Sequence, residues 1–148
     1  MTDRFEGFVG VIYNLHKSIE KIKKGKMKEF GLSGNHVMSL FYLAQYPEGL
    51  TAARLCQLIS VDKAATSRTL SELVKKGYVY YPNIEEQKKY RIAAALTEKG
   101  VEVTGKIDGI IRQMVAEARS GLNEEETSNM YHALNTISAN LEELVKNM

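Results

Sequence analysis

One cysteine in 148 residues rules out an intrachain disulfide framework. No apolar run approaches the roughly 20 residues that a membrane span requires. The segment MTDRFEGFVGVIYNLHKSIEK, Met1 to Lys21, is too polar and too periodic for a signal peptide, and it lacks a small-residue cleavage site. These absences set an intracellular, cytoplasmic protein as the expectation. His16, His36 and His132 are widely spread and form no recognisable metal motif. GKMKEFG carries glycines and lysines, but not at the spacing of a phosphate-binding loop. No nucleophile motif comes with a paired base. The chain therefore reads as a non-enzyme with no cofactor. It also lacks long-period repeats and low-complexity segments.

What is present suits a folded domain with its own core. Hydrophobic residues make up 44% and charged residues 26%, both ordinary for a globular chain. The net charge is only +2, but it is unevenly spread. Residues 54–91 carry eight basic against four acidic side chains, a local +4. Residues 117–148 carry two basic against six acidic, a local −4. A positive region on a nearly neutral protein suits a polyanion at one face. A merely solvated face would carry the same charges.

Hydrophobic periodicity orders the elements. Phe5, Phe8, Ile12, Leu15, Ile19 and Ile22 form an apolar seam at helical spacing. They predict a first helix from Thr2 or Asp3 to Lys28, with a possible capping box between Asp3 and Glu6. Gly31 and Gly34 end it, and Ser33 is placed to cap a second helix through Val37, Leu40, Phe41 and Leu43. YPEG stops that helix, and Leu50 follows as a short extended piece. Thr51 then caps a helix to about Ile59. After SVD, Asp62 caps a helix from Lys63 to Lys76, and Gly77 suits its left-handed end. YVYYP and KYRIAA read as two strands joined by the polar NIEEQ. Thr97 starts the next helix, Gly121 ends it, and Asn123 caps the last one. The order is four helices, a β hairpin and two more helices, a mainly α fold.

Two helices separated by a tight break are a helix-turn-helix. With Thr66, Leu70 and Leu73 facing the core, Ala64, Arg68, Ser71 and Lys75 point nearly opposite at 100° per residue, flanked by Ser67. Small residues let a backbone approach a groove floor. Arginine can pair with a guanine edge and lysine with phosphate. The hairpin that follows is basic at Lys88 and Lys89 and makes a wing. Those lysines can reach the backbone or the minor groove, or simply keep an exposed tip soluble.

LTAARLCQLISVDKAATSRTLSELVKKGYV (Leu50–Val79), followed by ALTEKG (Ala95–Gly100), resembles the MarR family of bacterial transcriptional regulators. The order of elements extends the resemblance to nearly the whole chain. It implies one domain over residues 1–148: a winged helix-turn-helix lobe at 33–96, with dimerisation helices at 1–30 and 97–148. By motif position it implies DNA contacts from the helix holding Lys63, Ala64, Ala65, Ser67 and Arg68. The family wing commonly carries an Asp-x-Arg pattern before Leu-Thr. Counting from Gly77 puts Gln87 and Lys89 there, and counting back from Leu96 puts Lys88 and Tyr90, so neither register supplies the pair. Lysine can replace the charge of arginine but not its planar fork.

The resemblance also implies a small aromatic effector, for which Tyr13, His16, His36 and Phe41 are candidate lining residues. Ordinary packing would account for the same four. Cys56 reads as a buried structural thiol, since no cation is obviously placed to lower its pKa. The reading that results is a homodimeric, sequence-specific double-stranded DNA-binding repressor acting on a near-palindromic operator. The alternative is a winged-helix protein-interaction module that reads no DNA, motivated by the modest net charge and the missing wing arginine.

Overall fold

The computed structural model describes residues 6–82 and 92–148. A π-helical turn at Glu6–Gly10 leads into α1 (Val11–Lys28). Then follow α2 (Gly34–Gln45), α3 (Ala52–Ile59), α4 (Lys63–Lys75), β1 (Val79–Tyr80), β2 (Ala95–Leu96), α5 (Glu98–Ala118) and α6 (Glu124–Lys146). The chain divides into two compact units, Met1–Ile110 and Ile111–Met148, with the division inside α5.

In the first unit, α2, α3 and α4 pack on one another around Leu40, Leu43, Leu55, Leu70 and Leu73. None of these five leucines is more than 1% exposed. Burial of each stabilises the lobe by about 1.5–3 kcal/mol relative to exposure. The helix ends are closed as the sequence suggests. The amide of Leu32 donates to the carbonyl of Met27 and that of Gly31 to Lys28, with Gly31 at φ 66°. Leu32 and Met27 are both buried, completing a Schellman ending for α1. The same pattern ends α4, where Tyr78 donates to Leu73 and Gly77, at φ 81°, donates to Val74.

The sheet departs from the sequence expectation. β1 and β2 are antiparallel, with Val79 opposite Leu96 and Tyr80 opposite Ala95. The return strand thus falls just past KYRIAA. Ala94 pairs instead with Leu50, exchanging bonds of 2.9 and 2.8 Å. Alanines have weak strand preference, which hides them from a propensity reading. Here they are selected by space, since Ala94 and Ala95 are both buried. Lys89, Tyr90 and Arg91, the first half of the expected strand, lie outside the described residues.

The first helix also differs. Its α-helical part starts at Val11, and the preceding turn is π-helical. Gly7 and Gly10 weaken the α register in that turn. Asp3 and Phe5, assigned to the cap and the seam, lie outside the described residues. At the other end of the lobe, α5 starts against the sheet. A Cβ on Gly100 would fall 2.1 Å from the carbonyl oxygen of Tyr78, so only glycine allows this approach. Thr97 Oγ1 donates to the carbonyl of Gly77 (2.6 Å) and accepts from the amide of Gly100 (3.0 Å).

In the second unit, Gly121 at φ 94° ends the α5 segment. Asn123 Oδ1 accepts from the amide of Glu126 (2.8 Å), and Glu126 Oε1 accepts from that of Asn123 (3.1 Å), a reciprocal capping box. Arg119 stacks over the ring of Tyr131, 5.9 Å from its centre. No residue of α6 is buried.

Candidate nucleic-acid interface

The α3–α4 pair is built from its turn outward. Thr51 Oγ1 accepts from the amide of Arg54 (3.2 Å) and starts α3. Ser60 ends it in the left-handed conformation, φ 61° and ψ 42°. Asp62 Oδ1 accepts from the amide of Ala65 (2.7 Å), while the Thr66 hydroxyl donates to the carbonyl of Asp62 (3.0 Å). The Asp62 carboxylate is thereby committed to the cap, at the positive end of the helix. Cys56 is half-buried, and its thiol donates to the carbonyl of Val61 (2.7 Å). The thiol thus bonds across the turn and is less buried than the structural thiol the sequence suggests.

The faces of α4 separate cleanly. Thr66, Thr69, Leu70 and Leu73 are buried. Lys63, Ala64, Ser67, Arg68, Ser71 and Lys75 are exposed, and Ala65 is half-buried. Ala64, Ser67, Arg68, Ser71 and Lys75 are the residues that helical geometry picks out of the sequence, and Lys63 is the one that motif position adds. Among the described residues Lys63, Arg68 and Lys75 make no ion pair, so their charges are available to an anion. The face combines free cations, hydroxyl donors and small side chains, a set suited to phosphates and base edges.

The lone acidic group within α4 is held aside. Glu72 Oε2 lies 2.5 Å from Nε2 of His36, a buried histidine on α2. His36 Nδ1 accepts from the amide of Ser33 (2.9 Å), whose hydroxyl lies 3.1 Å away. A backbone amide can only donate, so Nδ1 is the acceptor and Nε2 carries the proton. His36 takes the place that Glu or Gln holds in a capping box. Both ring nitrogens of His36 are therefore engaged within the lobe. Tyr13, His16 and Phe41 are exposed, and Phe41 meets Tyr42 edge to face at 5.6 Å.

Lys99 was not anticipated. Its Nζ donates to the carbonyl of Lys76 (3.2 Å) and sits 5.2 Å from the ring centre of Tyr78. It places a cation at the negative end of α4. The residue stands in ALTEKG, a segment whose helix start and family resemblance give no sign of this contact. On the wing, Tyr80 is exposed, and burial raises the pKa of Tyr81 above the usual phenol value. Lys88 and Lys89 lie outside the described residues.

The segment that carries this site has known counterparts. Residues 30–88 match the family model described as MarR family. The fold is shared with Staphylococcus aureus MepR in its DNA complex, at a TM-score of 0.76 and 20% identity, over 95% of this chain and 99% of that one. It is also shared with a MarR protein from Peptoclostridium difficile, at 0.77 and 23%, over 97% of this chain and 91% of that one. A Mycobacterium tuberculosis MarR family protein in complex with DNA matches at 0.72 and 20%, over 88% of this chain and 96% of that one.

Proposed function

We propose that the chain, whose residues 30–88 match the MarR family model, is a transcription regulator that binds double-stranded DNA with sequence preference. The observation that carries this reading is the solvent face of α4, where Lys63, Arg68 and Lys75 stand unpaired among the described residues, beside Ser67 and Ser71. In the complex α4 lies in the major groove. Arg68 reads a guanine edge, Lys63 and Lys75 contact phosphates, and Ala64 and Ala65 let the backbone come close. Lys88 and Lys89 of the wing reach the backbone or the adjacent minor groove. The DNA complexes of the S. aureus and M. tuberculosis proteins support this reading.

The working form is a homodimer. Phe8, Ile12, Leu15, Ile19 and Ile22 on the first helical segment are all at least 41% exposed. Leu134, Leu141, Leu144 and Val145 of α6 are at least 45% exposed. Such seams call for a partner surface. A two-fold dimer presents two copies of α4 to a near-palindromic operator. Occlusion of a promoter makes the protein a repressor, working in the cytoplasm of a bacterium. Release by a small aromatic effector near Tyr13, His16 and Phe41 requires that the effector favour one conformation over another.

The test is selection of bound duplexes from fragmented genomic DNA, at about 0.15 M salt with excess nonspecific competitor. Recovery of an inverted repeat supports the reading. Sequence-blind, salt-labile binding contradicts it and favours a winged helix that serves a protein partner.

A further inference from the structure

The basic face of α4 has an internal competitor. Glu72 lies four residues after Arg68, and three and four residues before Lys75 and Lys76. Residues at these spacings are neighbours on a helix surface. The Glu72 side chain is 54% exposed, so nothing steric keeps it from turning along the helix. Yet its carboxylate meets His36 Nε2, while Arg68 and Lys75 stay unpaired among the described residues.

We infer that His36 is a positioning residue for nucleic-acid binding: it draws the Glu72 carboxylate off the α4 face and so leaves Arg68 and Lys75 their charges. The inference rests on the DNA-binding reading above and deepens it. His36 can do this because its own orientation is fixed. The Ser33 amide occupies Nδ1, which leaves the proton on Nε2 and aims it at Glu72. The ring is buried, so it is held by packing as well. The start of α2 thereby governs the charge on the exposed side of α4 without touching the duplex. A released Glu72 would turn to Arg68, Lys75 or Lys76. An engagement of Arg68 or Lys75 removes a cation from the face, and the free carboxylate repels phosphate.

The test is a double-mutant cycle on duplex affinity, read with the full chain and a duplex taken from the genomic selection. His36→Ala is expected to weaken binding about two- to fivefold, the range of an exposed Arg–Glu pair. Adding Glu72→Gln to His36→Ala restores affinity, because the released group no longer carries charge. His36→Gln, which keeps a donor of similar reach, binds as the wild type does. If the double variant stays as weak as His36→Ala, His36 acts only through folding and the inference is overturned. Imidazole nitrogen NMR of the wild-type protein gives a second reading that needs no variant. The proton is expected on Nε2, and a proton resident on Nδ1 overturns the inference. A wild-type chain that selects no duplex removes the DNA-binding reading itself, and this inference with it.

Discussion

α4 and α6 are both amphipathic, yet they meet opposite fates. α4 buries Thr66, Thr69, Leu70 and Leu73 against its own lobe and turns a polar face outward. α6 carries Met130, Leu134, Ile137, Leu141, Leu144 and Val145 at helical spacing but buries none of them. Periodicity alone does not distinguish the two cases. An apolar stripe says that a surface needs covering, and only the tertiary structure says whether the same chain covers it. The outward face of α4 is therefore free to bind a polyanion, whereas α6 leaves its apolar area uncovered by its own chain.

Substitutions on the two helices should break this contrast in opposite ways. Leu70→Ala on the buried face of α4 has the largest expected effect. It should cost about 2–5 kcal/mol, a large part of the stability of a domain this size. Urea unfolding followed by circular dichroism reads it as a lower midpoint. Leu141→Glu on α6 should leave that midpoint of the monomer nearly unchanged and weaken self-association. Each copy forgoes about 1.5–3 kcal/mol of apolar burial, and sedimentation velocity should show a shift toward monomer. A dimer indifferent to Leu141→Glu would take α6 out of the interface.

Smaller changes, on α4 and on the α2 core it packs against, sharpen the same comparison. Lys63→Ala should lower affinity for all duplexes alike and reduce the slope of log affinity against log salt by about 1. A sequence-dependent loss would instead assign Lys63 to a base edge. Ser39 gives the smallest expected effect. Its hydroxyl is buried without a partner among the described residues. Ser39→Ala should therefore be neutral or stabilise slightly, by less than about 1 kcal/mol in thermal unfolding.

The helix-turn-helix was legible because each of its signals is local. Thr51 and Asp62 accept the amides of residues three positions on, Gly77 takes a positive φ, and the 3.6-residue period sorts the faces of α4. What stayed hidden is nonlocal. The pairing of Ala94 with Leu50 depends on how closely two backbones approach, and alanine gives little warning of it. The approach of Gly100 to the Tyr78 carbonyl is of the same kind. The pairing of His36 with Glu72 was hidden because its partner lies 36 positions away on another helix. The residue spacing between Ser33 and His36 held half of the answer, as a capping box with histidine in the third position. The part played by Glu72 required the packing of α2 on α4.

The most direct test of the central claim is the affinity of Arg68→Ala for a selected duplex beside its affinity for random duplex at the same salt. The exposed guanidinium of Arg68 on α4 predicts a loss of about 1–3 kcal/mol on the selected duplex, roughly 5- to 150-fold, with a much smaller change on random DNA and no change in dimerisation. An unchanged affinity for the selected duplex would contradict the assignment of α4 as the reading surface.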